Sequence, residues 1–407
     1  MTQTVEVYRT YKYRLFRDDK ADKHLHRQID VNGAIWNHAL SLQKRYYRLT
    51  GKYIPYGIMR KHIAKLRMRR VRFAHWRIVD AHAVDDVLKR LDRAYKRFFG
   101  GKVKRPPKYK KARQRKSFTL DSNSWKLIEY NLNVLKPNNK YTRTRSIVRI
   151  RGHKYKFIQH RPLSGMIKTV TIKRDAASRL WVCFTVVEKV TVPELAAPRN
   201  RAGFDFGLKT FLTDHTGHTY IMGLYHLSAL KRLRKLQSRK DKKPHGSNNR
   251  RKAAKLIART HIRVADKRRD AHYKLAHLLC DQYDILYLED LDIEDMKKHW
   301  GRKVSDLAFY QFVTILTHVA TKRNKRVLHI DRFENTTGKC SSCGHKQPME
   351  LRERVFLCGN CGLTLDRDHN AAINILTVGA STDTGLEAVR RSPKKPRSFA
   401  RSQKPML

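Results

Sequence analysis

Negative charge is scarce in this sequence. Its 407 residues include 35 acidic side chains against 90 lysines and arginines, so the formal net charge is +55. A field of that sign attracts phosphate backbones and releases their counterions. We therefore expect a nucleic acid as the partner. The alternatives are a basic protein of ribosomal or chromatin type without chemistry, or a protein that binds an anionic membrane surface.

Long apolar runs and cysteines are also few. No stretch of about 18 apolar residues occurs, and residues 1–12 lack the apolar core of a signal peptide. We therefore expect a cytoplasmic protein that neither spans a membrane nor is secreted. Of the six cysteines, four stand in two close pairs, while Cys183 and Cys280 lie alone in apolar segments. This distribution favours a metal site in a reducing compartment over a disulfide framework.

The paired cysteines predict a zinc site. Two Cys-x-x-Cys units are separated by 14 residues, and their members are Cys340, Cys343, Cys358 and Cys361. Each tight turn can present two thiolates to one tetrahedral ion. A closed site of four cysteines has no open coordination position, so a structural role for the metal is the alternative to a functional one.

The first half of the chain changes its hydrophobic period twice. Residues 5–16 alternate as a half-buried strand does, and apolar residues between 31 and 99 recur at intervals of three and four, as in amphipathic helices. The segment 102–116 holds nine basic residues and no acid, which indicates an extended arm. Strand patterns return between 147 and 190. The simplest assembly is a small β-barrel whose strands flank a helical insertion.

The second half alternates strand and helix patterns. We predict a strand over 201–214, a helical hairpin over 227–279, a strand over 283–288, a helix over 304–322 and a strand over 326–330. This alternation is typical of an α/β sheet. The hairpin carries 18 lysines and arginines against three aspartates, more than a merely solvated helix needs, and so indicates phosphate contacts.

Three acids stand out in this basic sequence. Asp205 lies between two phenylalanines, where an ionised carboxylate needs a counter-ion. Glu289 ends an apolar strand inside the window 281–295, which holds seven acids and no base. Asp368 opens a predicted helix. Singly they can be a turn former, a solvated strand end and a helix N-terminal acid favoured by the dipole. Together they fit two-metal phosphodiester hydrolysis.

The motifs that carry these residues occur in a distinctive order. Gly-Phe-Asp-Phe-Gly-Leu-Lys (203–209) is followed by Tyr-Leu-Glu-Asp-Leu (287–291), the two Cys-x-x-Cys-Gly units and Asp-Arg-Asp-His-Asn-Ala-Ala (366–372). This order resembles the TnpB family, which bacterial insertion sequences encode and which comprises compact relatives of type V CRISPR effector nucleases. The resemblance covers nearly the whole chain.

The resemblance implies an architecture. A RuvC-like nuclease domain of RNase H fold, with a zinc-ribbon insertion, would follow a wedge-type β-barrel that contains a helical recognition insertion. The implied boundaries are 1–20 and 117–197 for the barrel, 21–116 for the helical insertion and basic arm, 198–335 and 365–380 for the nuclease domain, 336–364 for the zinc ribbon, and 381–407 for a disordered basic tail.

The resemblance also implies an activity, that of an RNA-guided DNA endonuclease. Asp205, Glu289 and Asp368 would form the acid triad that holds Mg²⁺, with two ions expected, and the four cysteines would hold zinc. Asp366 is a rival for the third place, but the family's Asp-x-Asn pattern falls on Asp368. A guide RNA made from the transposon end would pair with one strand of the DNA, one protein would bind each RNA, and the protein would read a short motif beside the target.

Three other functions compete with this one. A miniature type V CRISPR effector is the nearest rival, because it would use the same chemistry. A guided DNA binder that represses without cutting would tolerate the loss of an acid, whereas all three acids are present. A guide-independent transposase would act on transposon ends without RNA.

Overall fold

The computed structural model divides into two units. An N-terminal unit extends from Thr4 to Thr191 and a C-terminal unit begins at Val192. Of the predicted disordered tail 381–407, the first three residues belong to a helix and the rest lies outside the described residues, as does the implied domain boundary at 197/198. In the part of the chain that is described, no helix is long and apolar enough to cross a membrane. The structure describes residues 3–69, 71–109, 111, 115–130, 144–192, 200–331, 334–350 and 353–383.

The N-terminal unit combines helices with two sheets. Its helices are α1 (Asp19–Thr50), α2 (Tyr56–Arg69) and α3 (Ala81–Phe99). Its strands are β1 (Gln3–Arg14), β2 (Ser117–Leu120), β3 (Trp125–Tyr130), β4 (Thr144–Ile150), β5 (His153–Gln159), β6 (Met166–Arg174) and β7 (Leu180–Val192). The sheets have the orders β1-β7-β6-β2 and β3-β4-β5. The opening strand predicted from the alternating pattern is confirmed, whereas closure into a barrel stays a prediction.

Helix α1 forms because its apolar residues recur on one side. Leu25, Ile29 and Ile35 are fully buried, at the spacing of an amphipathic helix. The side chain of Asp18 accepts hydrogen bonds from the first-turn amides at 3.0 Å, and Gly51 ends the helix in the left-handed region with φ 68°. The helical pattern predicted between 31 and 99 is therefore confirmed.

The C-terminal unit is built on a five-stranded sheet. Its strands are β8 (Arg201–Asp205), β9 (Leu212–Asp214), β10 (Thr219–Tyr220), β11 (Ile285–Glu289) and β12 (Arg326–Ile330), in the order β10-β9-β8-β11-β12. Strands β8, β11 and β12 are parallel neighbours, while β9 and β10 are antiparallel. The helices are α4 (Tyr225–Asp241), α5 (Asn248–Gln282), α6 (Ile293–Leu307), α7 (Phe309–Lys322) and α8 (Arg367–Asp383), and a small hairpin pairs β13 (Val355–Leu357) with β14 (Thr364–Asp366). The α/β prediction is confirmed.

Two predicted elements of this unit are wrong in detail. The strand predicted over 201–214 is two antiparallel strands, because the chain turns between them at Gly207, whose N–H bonds to the carbonyl of Phe211. The helix predicted over 304–322 is likewise two helices. Ala308 takes left-handed angles, φ 54° and ψ 53°, which break the helical path. Apolar periodicity cannot reveal such a residue, because the core-facing positions continue across it.

The helix α8 lies unusually close to the sheet. A Cβ atom built on Gly203 would stand 2.4 Å from both the carbonyl oxygen of Ala372 and the amide nitrogen of Leu376. Further along, a Cβ atom on Gly379 would stand 2.2 Å from the ring of Tyr287. Only glycine permits these approaches, because any larger side chain would overlap backbone or ring atoms. The two glycines therefore set the distance between α8 and strands β8 and β11.

Gly203→Ala should push α8 away from β8. We expect a loss of about 1–3 kcal/mol in unfolding free energy, since the added methyl meets backbone atoms that cannot rotate aside. For a unit of this size that is a fall of roughly 2–12 °C in melting temperature, measurable by calorimetry. Gly301→Ala is the matched control, because a Cβ atom there meets nothing within 4 Å. Equal melting temperatures for the two variants would contradict the proposed contact.

Candidate active site and metal centre

Asp205 and Glu289 end two adjacent parallel strands. The register pairs Ile285 with Arg201 and continues to Leu288 with Phe204, so the next residues, Glu289 and Asp205, are neighbours at the carboxyl edge of the sheet. Phe204 and Leu288 belong to the core on one face of the sheet. Since side chains alternate along a strand, both acids face the other side, which α8 covers.

Asp368 reaches the same edge from the start of α8. Its Oδ2 lies 3.4 Å from the Cβ position built on Gly207, two residues beyond Asp205. The close packing at Gly203 explains this, because it seats the first turn of the helix beside the end of β8. Asp205 and Asp368 are 163 positions apart in the sequence, yet both lie at one sheet edge with Glu289.

The carboxylates share an electrostatic environment. Burial raises the pKa of Asp205 well above its usual range, and the charges of Asp368 and Glu289 raise it further, against opposing effects of Arg367 and the backbone amide of Phe206. Burial also raises the pKa of Glu289, with a contribution from Asp290. Mutual repulsion in a partly desolvated site favours binding of a cation, and carboxylate oxygens are the ligands that Mg²⁺ prefers.

Two arginines accompany Asp368. The guanidinium of Arg367 donates to Oδ1 from Nε at 3.2 Å and from Nη2 at 3.1 Å. Nη1 of Arg354 lies 3.9 Å from Oδ2. Both Arg367 donors converge on one oxygen, so the charge-assisted hydrogen bonds hold Oδ1 in place. Neither arginine stood out in the sequence, where they were two among 90 basic residues.

Asp366, the alternative candidate for the third acid, makes different contacts from Asp368. Its Oδ1 accepts hydrogen bonds from the backbone amides of Asp368 at 2.9 Å and His369 at 3.2 Å, so it caps the N-terminus of α8. These hydrogen bonds to the first turn of α8 hold the carboxylate of Asp366 at the end of the helix. Of the two acids, Asp368 is the one whose charge acts on Asp205.

The four cysteines form a compact group. Their sulfur atoms all lie within 4.8 Å of one another, and the pairs Cys340–Cys361 and Cys343–Cys358 are 3.6 Å apart. A tetrahedron with Zn–S bonds of about 2.3 Å has S–S edges of about 3.8 Å, so the spacing fits zinc. A hydrogen bond from the His345 backbone, helped by the Asn360 side chain, lowers the pKa of Cys343 to about 6, which favours the thiolate.

The acids are less tightly grouped than the cysteines. Within the described ranges, the cysteines are the one set of three or more His, Cys, Asp or Glu side chains close enough to share an ion. The oxygen atoms of Asp205, Glu289 and Asp368 are therefore farther apart than the four sulfur atoms.

Two asparagines of α8 attach the helix to the zinc loop. Asn370 donates to the Lys339 carbonyl at 2.8 Å and accepts from the Ser341 amide at 3.0 Å. Asn374, one turn later, donates to the carbonyls of Thr336 and Lys339 at 2.8 and 2.7 Å. Both side chains are buried. The helix that carries Asp368 and the loop that carries Cys340 are therefore held together. Of this pair, only Asn370 had a signal in the sequence, through the Asp-x-Asn pattern.

Three family models match segments of the chain. A helix-turn-helix domain model (HTH_OrfB_IS605) matches residues 1–52, a model described as a probable transposase (OrfB_IS605) matches 184–299, and the TNB domain of Cas12f1-like proteins matches 309–375. The first model's name does not describe what the structure has there, which is strand β1 followed by the single helix α1.

Curated relatives agree with these models. A Streptomyces pristinaespiralis protein named "Putative RNA-guided DNA endonuclease" is 26% identical over 410 residues, covering 98% of this chain and 96% of that protein. "TnpB-like protein L79" of Acanthamoeba polyphaga mimivirus is 30% identical over 237 residues, covering 54% of this chain and 45% of the viral protein. The chain belongs to the TnpB family.

A solved structure supports the fold of this TnpB-family chain. The mini-RNA-guided endonuclease CRISPR-Cas_phi3 superposes with a TM-score of 0.56 at 10% identity, over 92% of each chain. At that identity the likeness concerns the fold alone. The match to the TNB domain model spans the four cysteines, so this TnpB-family chain has a zinc-ribbon type of segment at the place where the sequence predicted it.

Cys343→Ser should reduce the zinc content of the purified protein. The wild type should hold one zinc ion per chain by mass spectrometric metal analysis, and the variant well under half of that, since serine is a poor zinc ligand. Cys280→Ala is the control, because Cys280 is buried elsewhere in the unit and should leave the zinc content unchanged. Full zinc in the Cys343→Ser protein would exclude the four-cysteine site.

Asp205→Asn should make the protein more stable in chelator and should reduce the stabilisation that Mg²⁺ gives. In chelator, the variant should melt above the wild type, because one of three repelling carboxylates is gone. At Mg²⁺ near 100 times its dissociation constant, the wild type should gain about 2.7 kcal/mol and the variant much less. Differential scanning calorimetry with and without Mg²⁺ measures both. An equal Mg²⁺ shift in the two proteins would remove Asp205 from the ligand set.

Proposed function

We propose that the protein is an RNA-guided DNA endonuclease that hydrolyses phosphodiester bonds with Mg²⁺ held by Asp205, Glu289 and Asp368. The observation that carries the proposal is the convergence of these three acids at one sheet edge in a chain of net charge +55. Carboxylates repel the phosphates of a nucleic acid. Three of them close together in a basic protein therefore indicate a site that binds cations.

The order of the strands supports a nuclease of RuvC type. The sheet β10-β9-β8-β11-β12 has three antiparallel strands followed by two that run parallel to β8, which is the arrangement of the RNase H fold. In the proposed nuclease, the acids would stand on the first strand, the fourth strand and the last helix. The central strands supply rigidity, because β11 is buried along Ile285 to Leu288.

Each residue of the site has a part in the proposed reaction. The three carboxylates would hold the ions, and Mg²⁺ held there would supply activation of water and stabilisation of the leaving oxygen. Arg367 would keep Oδ1 of Asp368 in place. Asn370 and Asn374 keep the N-terminal half of α8 in place. The zinc ribbon would act through these contacts on the geometry of the site and take no part in the chemistry.

Basic surfaces would hold the nucleic acids. At the tip of the α4–α5 hairpin, a pocket of about 600 Å³ is lined by Arg239, Lys242, Lys243 and Lys252. Arg250 stabilises the turn by donating to the carbonyls of Lys240 and Lys243. Such a concave basic surface binds backbone phosphates without reading sequence. We propose that guide RNA and the guide–target duplex bind there and on the arm at 102–116, with one protein per RNA made from a transposon end.

The competing functions predict different behaviour. A guide-independent transposase would cut after ribonuclease treatment, whereas the proposed enzyme would not. A silent repressor would bind its target without cutting. A miniature CRISPR effector would copurify with RNA that carries CRISPR repeats instead of a transposon end. Sequencing the copurified RNA and assaying cleavage before and after ribonuclease treatment separates all three from the proposal.

Substituting any one of Asp205, Glu289 and Asp368 by Ala should abolish cutting of a DNA target matched to the copurified RNA. Loss of residues that only orient ligands costs about 10–100-fold, so loss of a ligand should cost more than about 100-fold. Target binding, measured by gel shift, should remain.

Asp366→Asn is the matched control for Asp368. Asparagine retains the capping oxygen, so cleavage should stay within about threefold of the wild type. If Asp366→Asn abolished cutting while Asp368→Asn did not, the two residues would have exchanged the assigned roles.

A further inference from the structure

A small apolar pocket lies directly beside the candidate active site. Its volume is about 250 Å³, and both acid-bearing strands lead into it. Phe206, which follows Asp205, forms part of the wall. Glu289 and the next two residues, Asp290 and Leu291, line another side. The pocket lies at the same carboxyl edge of the sheet as the acids, on the side of Phe206 and Phe309, and Glu289 is the one of the three acids that lines it.

The back of the pocket is rigid and aromatic. The ring of Phe309 is buried, lying 5.2 Å from that of Phe206 and stacked at 5.3 Å on that of Phe211. Interlocked rings of this kind keep their positions without a ligand. The wall is therefore preformed, and a ligand that enters does not have to order it.

The front of the pocket is an exposed tyrosine. Tyr310 is 77% exposed, although it directly follows the buried Phe309. The left-handed angles of Ala308 start α7 at this point, so the first turn of the helix carries one ring inward and the next outward. A large aromatic ring left in solvent beside a reactive site is a ready surface for stacking a planar group.

Charge selects which part of a nucleic acid can enter. Glu289 and Asp290 repel a phosphate group, and the walls of Phe206, Leu291 and Val313 offer it no donor, which leaves His329 and the hydroxyl of Tyr310 as the donors among the lining side chains. An uncharged, planar nucleobase suits apolar walls and an aromatic ring. The volume lies below the roughly 300–1,000 Å³ typical of drug-sized ligands, so it suits one ring system rather than a stack of several.

We propose that this pocket binds the base of a nucleotide next to the bond that is cut, with Tyr310 stacking on it. The inference rests on the proposed function and extends it by assigning a base-binding subsite. The subsite would pull the strand into single-stranded form at the acids and hold the backbone in register with them. Stacking on an aromatic ring favours no particular base, as a guided enzyme requires.

A binding experiment tests the subsite without cleavage. The ribonucleoprotein is prepared from the full chain carrying Asp205→Ala, and 2-aminopurine is placed at successive positions of the DNA strand around the cut. We expect fluorescence quenching that peaks at one position, is lost with Tyr310→Ala and is kept with Tyr310→Phe. Quenching that is the same with and without the Tyr310 ring would overturn the proposal.

A cleavage experiment tests the same subsite in the active enzyme. An abasic nucleotide at the quenched position should slow wild-type cutting by about 5- to 150-fold, the equivalent of 1–3 kcal/mol for one stacked base. Tyr310→Ala should slow cutting of the intact strand by a similar factor. The rate of this variant should fall little further on the abasic strand, because the stacking contact is already absent. Ile221→Ala, which removes another side chain that is 81% exposed, should cut as the wild type does.

The two proposals fail in different ways. A wild-type ribonucleoprotein that does not cut its matched target with Mg²⁺ present would refute the proposed function. An enzyme that cuts normally but is indifferent to an abasic nucleotide at every position tested would refute only the base-binding pocket.

Discussion

The contact between α8 and β8 determines where the acids meet. Gly203 allows the backbone of α8 to approach the strand so closely that even a methyl group would overlap Ala372 and Leu376. The helix begins at Arg367, and its first turn consequently lies beside the ends of β8 and β11. A helix packed farther from the strand would carry Asp368 farther from Asp205.

The same helix joins the catalytic candidates to the zinc ribbon. Asn370 and Asn374 are buried and bonded to the loop that precedes and includes Cys340. A buried amide that lost these partners would incur a desolvation penalty of about 1–3 kcal/mol. The loop that carries Cys340 is thus joined by hydrogen bonds to the helix that carries Asp368. Through this connection the four-cysteine site can stabilise the position of Asp368.

The distribution of charge is the reason for proposing that the site binds cations. The protein as a whole attracts phosphates, but Asp205 and Glu289 sit where burial and like charges penalise their ionised forms. The charge of Arg367 lowers the pKa of Asp205, but burial and the charges of Asp368 and Glu289 outweigh it. The apolar pocket at the same sheet edge would complement this arrangement, because a nucleobase is uncharged and is not repelled by Glu289 and Asp290 as a phosphate is.

The sequence by itself predicted the zinc ligands, because four thiolates at Cys-x-x-Cys spacing can form a tetrahedral site locally. It also predicted the three acids, because the order of the motifs singled them out. Most strands and helices were equally readable, since periods of 2 and 3.6 are local properties. Only the tertiary structure decided that Asp366 caps α8 while Asp368 faces Asp205, that Ala308 breaks a helix, and that Asn374 bonds the zinc loop. The contacts of Asp368 and Asn374 depend on backbone distances between segments far apart in the chain, and no local pattern encodes such distances.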